Sequence, residues 1–361
     1  MSEHPNAQPD STATGEFRLF GPLPDSAGVS YVMPVLNEAG HLANAVAAVL
    51  AQDYDGETEL ILALGASTDD TDAIAAGLAD SDPRVQLVAN PASDVSSGLN
   101  RAIRASRFPV VIRVDAHSDL SPGYTRAAVA ALRRSGAANL GGVMVAQGSG
   151  RVQAAIARAY NSPFGLGGGV YHHGEEEAPA DSAYLGVFRR EVLFEVGLFD
   201  ESQRRGQDWE LNSRIRAAGY LVLFVPQLTI TYWPRSSLDG LRRQMYATGV
   251  WRGHLTRRQR TSPLRYLPPP LVAVIMLASA VCLGLRPLGV GGRAAGIVHT
   301  GAVGYLAGVT VVGMTRLGGE DLLDRLLNAA VLAITHLSWG FGFLRGVIFG
   351  AERTVDRSRV R

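Results

Sequence analysis

From Gly28 to about Thr231, short and nearly continuous apolar runs alternate with amphipathic stretches. VSYVMPVL, TELILAL, RVQLVAN, PVVIRVD and NLGGVMVA hold too few polar residues for strands with one face in water. Such runs suit a mostly parallel sheet covered by helices on both sides. Between them, residues 38–51, 69–79, 95–106 and 121–134 repeat their apolar positions at helical spacing. The repeating order predicts a doubly wound α/β domain.

After Pro268 the pattern changes. Apolar runs cover residues 271–285, 294–314 and 326–349. The last two reach the roughly 20 residues needed to span hydrocarbon, and the first needs its flanking prolines to qualify. Glycines at 296, 301, 304, 308 and 313, and again at 340, 342, 346 and 350, suit close helix packing in lipid. A buried helical subdomain is the alternative to membrane attachment. Arg252, Arg257, Arg258, Arg260 and Arg265 precede the first run and argue for a cytoplasmic large domain. Three complete spans would put Arg353, Arg357, Arg359 and Arg361 outside, against the same rule, so two to three embedded helices are expected. The expected organisation is a flexible tail over residues 1–27, the α/β domain over 28–235, and a basic amphipathic interfacial segment over 236–267. Membrane-embedded helices over 268–350 and a basic tail over 351–361 complete it.

Composition narrows the function classes. Of 361 residues, 47% are hydrophobic and 19% charged, which excludes wholesale disorder. The net charge of +1 gives no global field for nucleic acid, and no nucleic-acid partner is expected. The chain has no lysine, so every fixed cation is an arginine. The single cysteine, Cys282, leaves no intramolecular disulfide and no cysteine-rich zinc site. Residues 1–27 lack the apolar core of a secretory signal.

Candidate chemistry lies where apolar strands end, because ligands of open α/β sheets bind outside the carboxyl ends of strands. In MPVLNEAGHL, Asn37 and Glu38 stand at that edge. Glu38 could accept from a ribose or base, or the pair could simply cap and begin a helix. GASTDDT places Ser67, Asp69, Asp70 and Thr71 after the second strand, where acids also compensate a helix dipole. In VIRVDAHSD, Asp115 and His117 share one side of the chain for as long as the extended conformation lasts. A carboxylate and an imidazole so placed can hold a divalent ion beside a diphosphate. In RRGQDWELNSRIRAAGY, Asp208 and Glu210 open an amphipathic helix through Ala218, and a carboxylate there could take a proton from an acceptor hydroxyl. The ordinary reading makes Asp208 a cap and Trp209 a packing residue. Two strings are set aside. FGLGGGV over 164–170 does not fit G-x-G-x-x-G between strand and helix, so a flexible loop is expected there. His172 and His173 beside Glu175–Glu177 read as a solvated acidic loop rather than a metal cluster.

Taken in order, MPVLNE, STDDT, RVDAH, GVFRREVLFEVGLFDE and QDWELNSRI resemble the inverting family-2 glycosyltransferases over about residues 28–254. DAH in place of D-x-D, NSPFGLGGG, QDWELN and YWPRSSLDGLRRQMYATGVWR are similar to the succinoglycan-type bacterial exopolysaccharide subgroup. The resemblance implies a GT-A fold and a nucleotide diphospho-sugar donor, with a UDP-sugar favoured. It implies Pro34, Asn37, Glu38, Ser67 and Asp69 at the nucleotide-sugar pocket, and Asp115 and His117 at a Mg²⁺ or Mn²⁺ ion. Asp208 matches the family's catalytic base. Gln207, Trp209 and Glu210 flank it, and Gln244, Trp251 and Arg252 fall near the family's Q-x-x-R-W region with altered spacing. Two positions depart from the pattern: Gly65 stands where an acid usually contacts the base, and Gln207 replaces the glutamate before the catalytic aspartate. Losing that glutamate removes a like charge that would raise the Asp208 pKa. The implied function is membrane-anchored inverting sugar transfer to a hydroxyl of a lipid-linked saccharide, on the cytoplasmic face of a bacterial plasma membrane. A polyprenyl-phosphate sugar transferase and a non-catalytic nucleotide-sugar-binding scaffold are the alternatives.

Overall fold

The computed structural model describes residues 17–165, 175–203, 206–259, 264–288 and 291–351. The expected alternation is present at the start of the chain: β1 (Val29–Val35), α1 (Leu42–Leu50), β2 (Thr58–Leu64), α2 (Thr71–Ser81), β3 (Val85–Ala89), α3 (Val95–Ala105) and β4 (Val110–Arg113). β5 (Ser118–Leu120), α4 (Tyr124–Ser135), β6 (Asn139–Ala146), α5 (Arg151–Tyr160), β7 (Ala178–Pro179), β8 (Val187–Arg189), α6 (Arg190–Glu195), α7 (Gln207–Ala217) and β9 (Val222–Tyr232) follow. The sheet order is β3-β2-β1-β4-β8-β6-β9-β5, with β7 against β9. β3, β2, β1 and β4 pair in parallel, while β8 enters antiparallel to both β4 and β6.

Period-2 alternation explains why both faces are dry. Val29, Tyr31, Met33 and Val35 of β1 pack with apolar residues of α1, α2 and α4. Val32 faces the other way, into a layer built from α3, α6 and α7. A strand buried on both sides must be apolar at nearly every position, as these are.

The chain divides into two compact units, Met1–Met144 with Gly174–Thr231, and Val145–His173 with Tyr232–Arg361. This differs from a simple boundary near residue 235, because α5 goes with the C-terminal helices. The expected loose tail also differs over residues 17–27. The Arg18 N–H donates to the Gly219 carbonyl at 2.8 Å, Phe20 stacks on Tyr220 at 4.8 Å, and Arg18 pairs with Glu195 at 3.0 Å. A polar average over 27 residues concealed FRLF, whose Phe20 ring and Arg18 guanidinium have fixed partners.

The second unit adds α8 (Leu238–Gln259), α9 (Pro268–Gly284), α10 (Arg293–Thr315) and α11 (Leu322–Phe349). α10 and α11 are long and apolar enough to cross a membrane, and α9 is shorter. Glycines bring α8 and α11 close together: a Cβ on Gly249 or Gly253 would run into the backbone at Trp339 or Phe343, and one on Gly342 or Gly346 into that at Tyr246 or Val250. In the second apolar run the expectation of glycine packing holds only partly. Gly313 meets Ala329 closely and Gly301 makes ordinary contact with Ile275, but Gly296, Gly304 and Gly308 face open space.

Candidate active site

Three loops leave the carboxyl ends of adjacent parallel strands, β2, β1 and β4, and two of them interlock. The Asn37 carboxamide oxygen accepts from the Thr68 N–H at 2.7 Å, and Ser67 Oγ accepts from the Asn37 N–H at 3.2 Å. The Glu38 N–H donates to Thr71 Oγ1 at 2.8 Å, and Asp69 accepts from the Ala39 N–H at 3.2 Å. The Thr71 hydroxyl, donating at 2.5 Å, holds the Asp69 carboxyl below its usual range. Asn37 adopts φ 54°, a left-handed conformation that asparagine tolerates better than most residues. α1 begins only at Leu42, so Asn37 and Glu38 are neither its cap nor its first turn. Pro34 lies within β1 opposite Ala63 and close to Gly98 of α3.

Gly65 has a steric reason. A Cβ there would stand 3.0 Å from Leu36 Cδ1 and 3.2 Å from Ser93 Oγ, and that oxygen already accepts from the Ala66 N–H. Any side chain at this position would require Leu36 and Ser93 to give by a few tenths of an ångström.

β4 ends at Arg113, so alternation cannot align Asp115 with His117. A turn follows the strand instead. Ser118 Oγ donates to the Asp115 carbonyl at 2.8 Å, and the Ser118 N–H does so at 3.0 Å. His117 Nδ1 lies 3.2 Å from Glu38 Oε1, joining the first and third loops. Among the described residues no group of three or more His, Cys, Asp or Glu could hold a metal ion.

Arg113 is the residue that the sequence reading missed. It is 5% exposed, and its Nε and Nη2 donate to Asp115 at 3.1–3.3 Å while Nη1 donates to Asp208 Oδ1 at 2.5 Å. Burial opposes its charge, but Asp115 and Asp208 together overcome this and raise its pKa. The available signal was an arginine closing an apolar strand, since a buried cation requires counter-charges.

Asp208 is the second residue of α7, behind Gly206 in the left-handed cap position. Burial raises its pKa, the Arg113 guanidinium opposes the rise, and Asp115 adds to it. Exchanging the neighbouring glutamate for Gln207 therefore does not leave an easily ionised acid. The Asp208 side chain keeps 27% exposure, and Oδ2 has no hydrogen-bond partner among the described residues. Asn212, fully buried one turn on, donates to the Asp208 carbonyl at 2.7 Å and accepts from Asn139. Glu210 is occupied otherwise: both its oxygens accept from Arg214 at 2.7 Å, and Arg214 also donates to the Val196 and Leu198 carbonyls. Gln207 and Trp209 are half-buried beside Asp208.

Gln244, Trp251 and Arg252 belong to α8 in the second unit. Gln244 donates to the Tyr232 hydroxyl at 3.1 Å, Trp251 is buried edge-on to His254, and Arg252 lies over the Tyr266 ring at 4.4 Å. Residues 166–174, including His172, His173 and most of FGLGGGV, lie outside the described residues.

Residues 30–197 match the model of Glycosyl transferase family 2. A curated relative, "Succinoglycan biosynthesis protein ExoA" of Rhizobium meliloti (strain 1021), is 31% identical over 88% of this chain and 94% of its own length. The chain is a family 2 glycosyltransferase. The resemblance carried by the ordered motifs is thus borne out. This glycosyltransferase is also 23% identical, over 71% of its length and 82% of the relative's, to a Methanococcus voltae protein. That protein is a dolichyl N-acetyl-alpha-D-glucosaminyl phosphate 3-beta-D-2,3-diacetamido-2,3-dideoxy-beta-D-glucuronosyltransferase. The fold of the present chain is similar to that of the mannosyltransferase PcManGT from Pyrobaculum calidifontis, solved in complex with GDP-Man and Mn²⁺, with TM-score 0.59, 16% identity, and 93% and 91% of the two chains covered.

Proposed function

We propose that this glycosyltransferase moves a sugar from a nucleotide diphospho-sugar to a hydroxyl of a lipid-linked saccharide, with inversion, while anchored to the membrane by its C-terminal helices. The observation that carries the proposal is the contrast between two carboxylates on one helical turn. Asp208 keeps an oxygen without a partner among the described residues, whereas Glu210 is consumed by Arg214. Only Asp208 is suited to receive a proton. The acceptor oxygen forms its bond to the anomeric carbon as the bond to the diphosphate breaks. The proton passes to Asp208 Oδ2, and the nucleoside diphosphate leaves with the bonding electrons.

Asp115, whose oxygens also accept from Arg113, and His117 would hold a divalent cation, since a histidine whose one nitrogen faces a carboxylate, as Nδ1 faces Glu38, presents the other to a metal in a fixed orientation. A cation held there would supply charge that offsets that of the leaving diphosphate. Arg113 lies between Asp115 and Asp208 and pairs with both, which offsets the repulsion between the two carboxylates.

A lipid-linked acceptor agrees with two long apolar helices and with the dolichyl-linked acceptor in the archaeal relative's name. Confinement to one membrane raises the local acceptor concentration without tight binding. The arginines around the end of α8 favour the cytoplasmic face. The test is Asp208→Asn beside Glu210→Gln in transfer assays, with the product anomer read by NMR. Asp208→Asn should lose roughly 10²–10⁴-fold in turnover with donor affinity retained. Full activity in Asp208→Asn would instead favour a phosphate acceptor, which arrives already ionised.

A further inference from the structure

The second unit contains a cation pocket with no role in sugar transfer as described above. A cavity of about 440 Å³ is lined by Arg158, Asn161, Ser162, Phe164, Arg316 and Leu317. Arg158 stands on α5, and its Nε donates at 2.9 Å to Oδ1 of Asn328, a residue with no exposed surface. Asn328 is in turn fixed by donating to the Gly318 carbonyl at 2.7 Å and the Gly313 carbonyl at 3.3 Å. This holds the guanidinium in one plane. Its Nη2 is nevertheless buried with no hydrogen-bond partner among the described residues. A buried cationic N–H left unmade is costly, and an oxyanion admitted by a shift of the cavity lining would satisfy it. Arg316 supplies a second charge at the C-cap of α10, exposed and with no ion pair among the described residues. Of the acids that follow Arg316, Asp321 and Asp324 share Arg151 at 2.6 and 3.3 Å, and Glu320 is exposed with no ion pair among the described residues.

Phe164 also lines a second cavity, of about 320 Å³, whose walls include Val272, Tyr305, Val309 and Leu332. That lining is almost wholly apolar, and the polar atoms of His336 in its wall are taken by the Phe164 carbonyl at 2.7 Å and the Tyr305 hydroxyl at 3.2 Å. Gly308 forms part of the wall, and a Cβ there would meet nothing within 4 Å. A two-arginine pocket and an apolar chamber therefore share Phe164, and Arg316 of the pocket caps a helix long and apolar enough to cross a membrane.

We infer that this pair of cavities binds the phosphate-bearing end of a polyprenyl carrier lipid, with phosphate oxygens on Arg158 and Arg316 and the first part of the isoprenoid chain in the apolar chamber. The inference rests on the lipid-linked acceptor proposed above and names where its carrier is held. The full-length protein in nanodiscs should bind polyprenyl diphosphate about ten-fold or more weakly after Arg158→Gln or Arg316→Gln, the usual worth of a hydrogen bond to a charged group. Gly308→Leu should fill the chamber and weaken the same lipid. Inorganic pyrophosphate should bind Gly308→Leu as it binds the wild type, and bind both arginine variants less well. If Arg158→Gln disturbs the Asn328 network and fails to fold, Arg316→Gln decides, because that side chain is exposed and without an ion pair. Unchanged affinity in Arg316→Gln and Gly308→Leu overturns the site. An equal loss of affinity for phosphatidylglycerol overturns it as a carrier site. Loss of lipid binding in these variants, from a protein whose wild type transfers no sugar to lipid-linked saccharide, would sink the acceptor reading and leave the site standing. Undiminished lipid binding with intact transfer would do the reverse.

Discussion

Replacing Arg113 by methionine removes one guanidinium from between two carboxylates. Arg113 is 5% exposed and the Asp115 side chain 9%, so the substitution strands a buried charge. Removing one partner of such a pair costs about 3–5 kcal/mol. Asp208, at 27% exposure, can recover water, which places the loss near the lower bound, about 3 kcal/mol. At about 2–4 °C per kcal/mol, the apparent Tm should fall by roughly 6–12 °C at a fixed scan rate. Asp115→Asn added to Arg113→Met removes the stranded charge and should restore a large part of that loss. Kinetics give a second reading. Burial already raises the Asp208 pKa and Arg113 opposes it, so without Arg113 the pKa rises further. A carboxylic acid is a competent base only above its pKa, hence the acid limb of kcat/KM should move to higher pH and activity should partly return in alkaline buffer. A pH-independent loss of activity, or a Tm equal to wild type, would refute the electrostatic role of Arg113.

Other outcomes follow from the same geometry. In the wild type the acid limb of kcat/KM should lie above the ordinary aspartate range, since the raised Asp208 pKa delays ionisation as pH increases; a limb at or below that range contradicts Asp208 as the base. His117→Ala should weaken the response to Mn²⁺ or Mg²⁺ more than it lowers the Tm, and an unaltered metal titration would reduce His117 to a loop tie. Gly346→Leu should drive a side chain into the backbone at Val250 and His254 and destabilise the α8–α11 pair by about 1–3 kcal/mol, measured by thermal unfolding in detergent. High salt should not release the protein from membranes, because hydrophobic insertion is not screened by ions; quantitative release would contradict the anchor.

The sequence by itself determined the elements whose signal is local. β1, β2 and β4 were legible because a strand buried on both faces is apolar at nearly every position. α10 and α11 were legible because their apolar runs are long, and the family was legible because its motifs keep their order. What the tertiary structure decided are relations between residues far apart in the chain. Arg113 and Asp208 stand 95 positions apart, and no periodicity joins them; they meet because α7 packs on the same sheet that ends at Arg113. Asp208 and Glu210 look alike in QDWELN, and only the packing of Arg214 against the Val196 and Leu198 carbonyls takes Glu210 out of reach. Asn37 suggested a helix cap until the neighbouring loop supplied Thr68 as its partner. The same holds for residues 17–27, whose composition suggests a tail and whose rings and charges find Tyr220 and Glu195. Backbone preference and burial are written residue by residue, whereas the partner of a charged or polar group is chosen by whichever chain segment the fold brings alongside it.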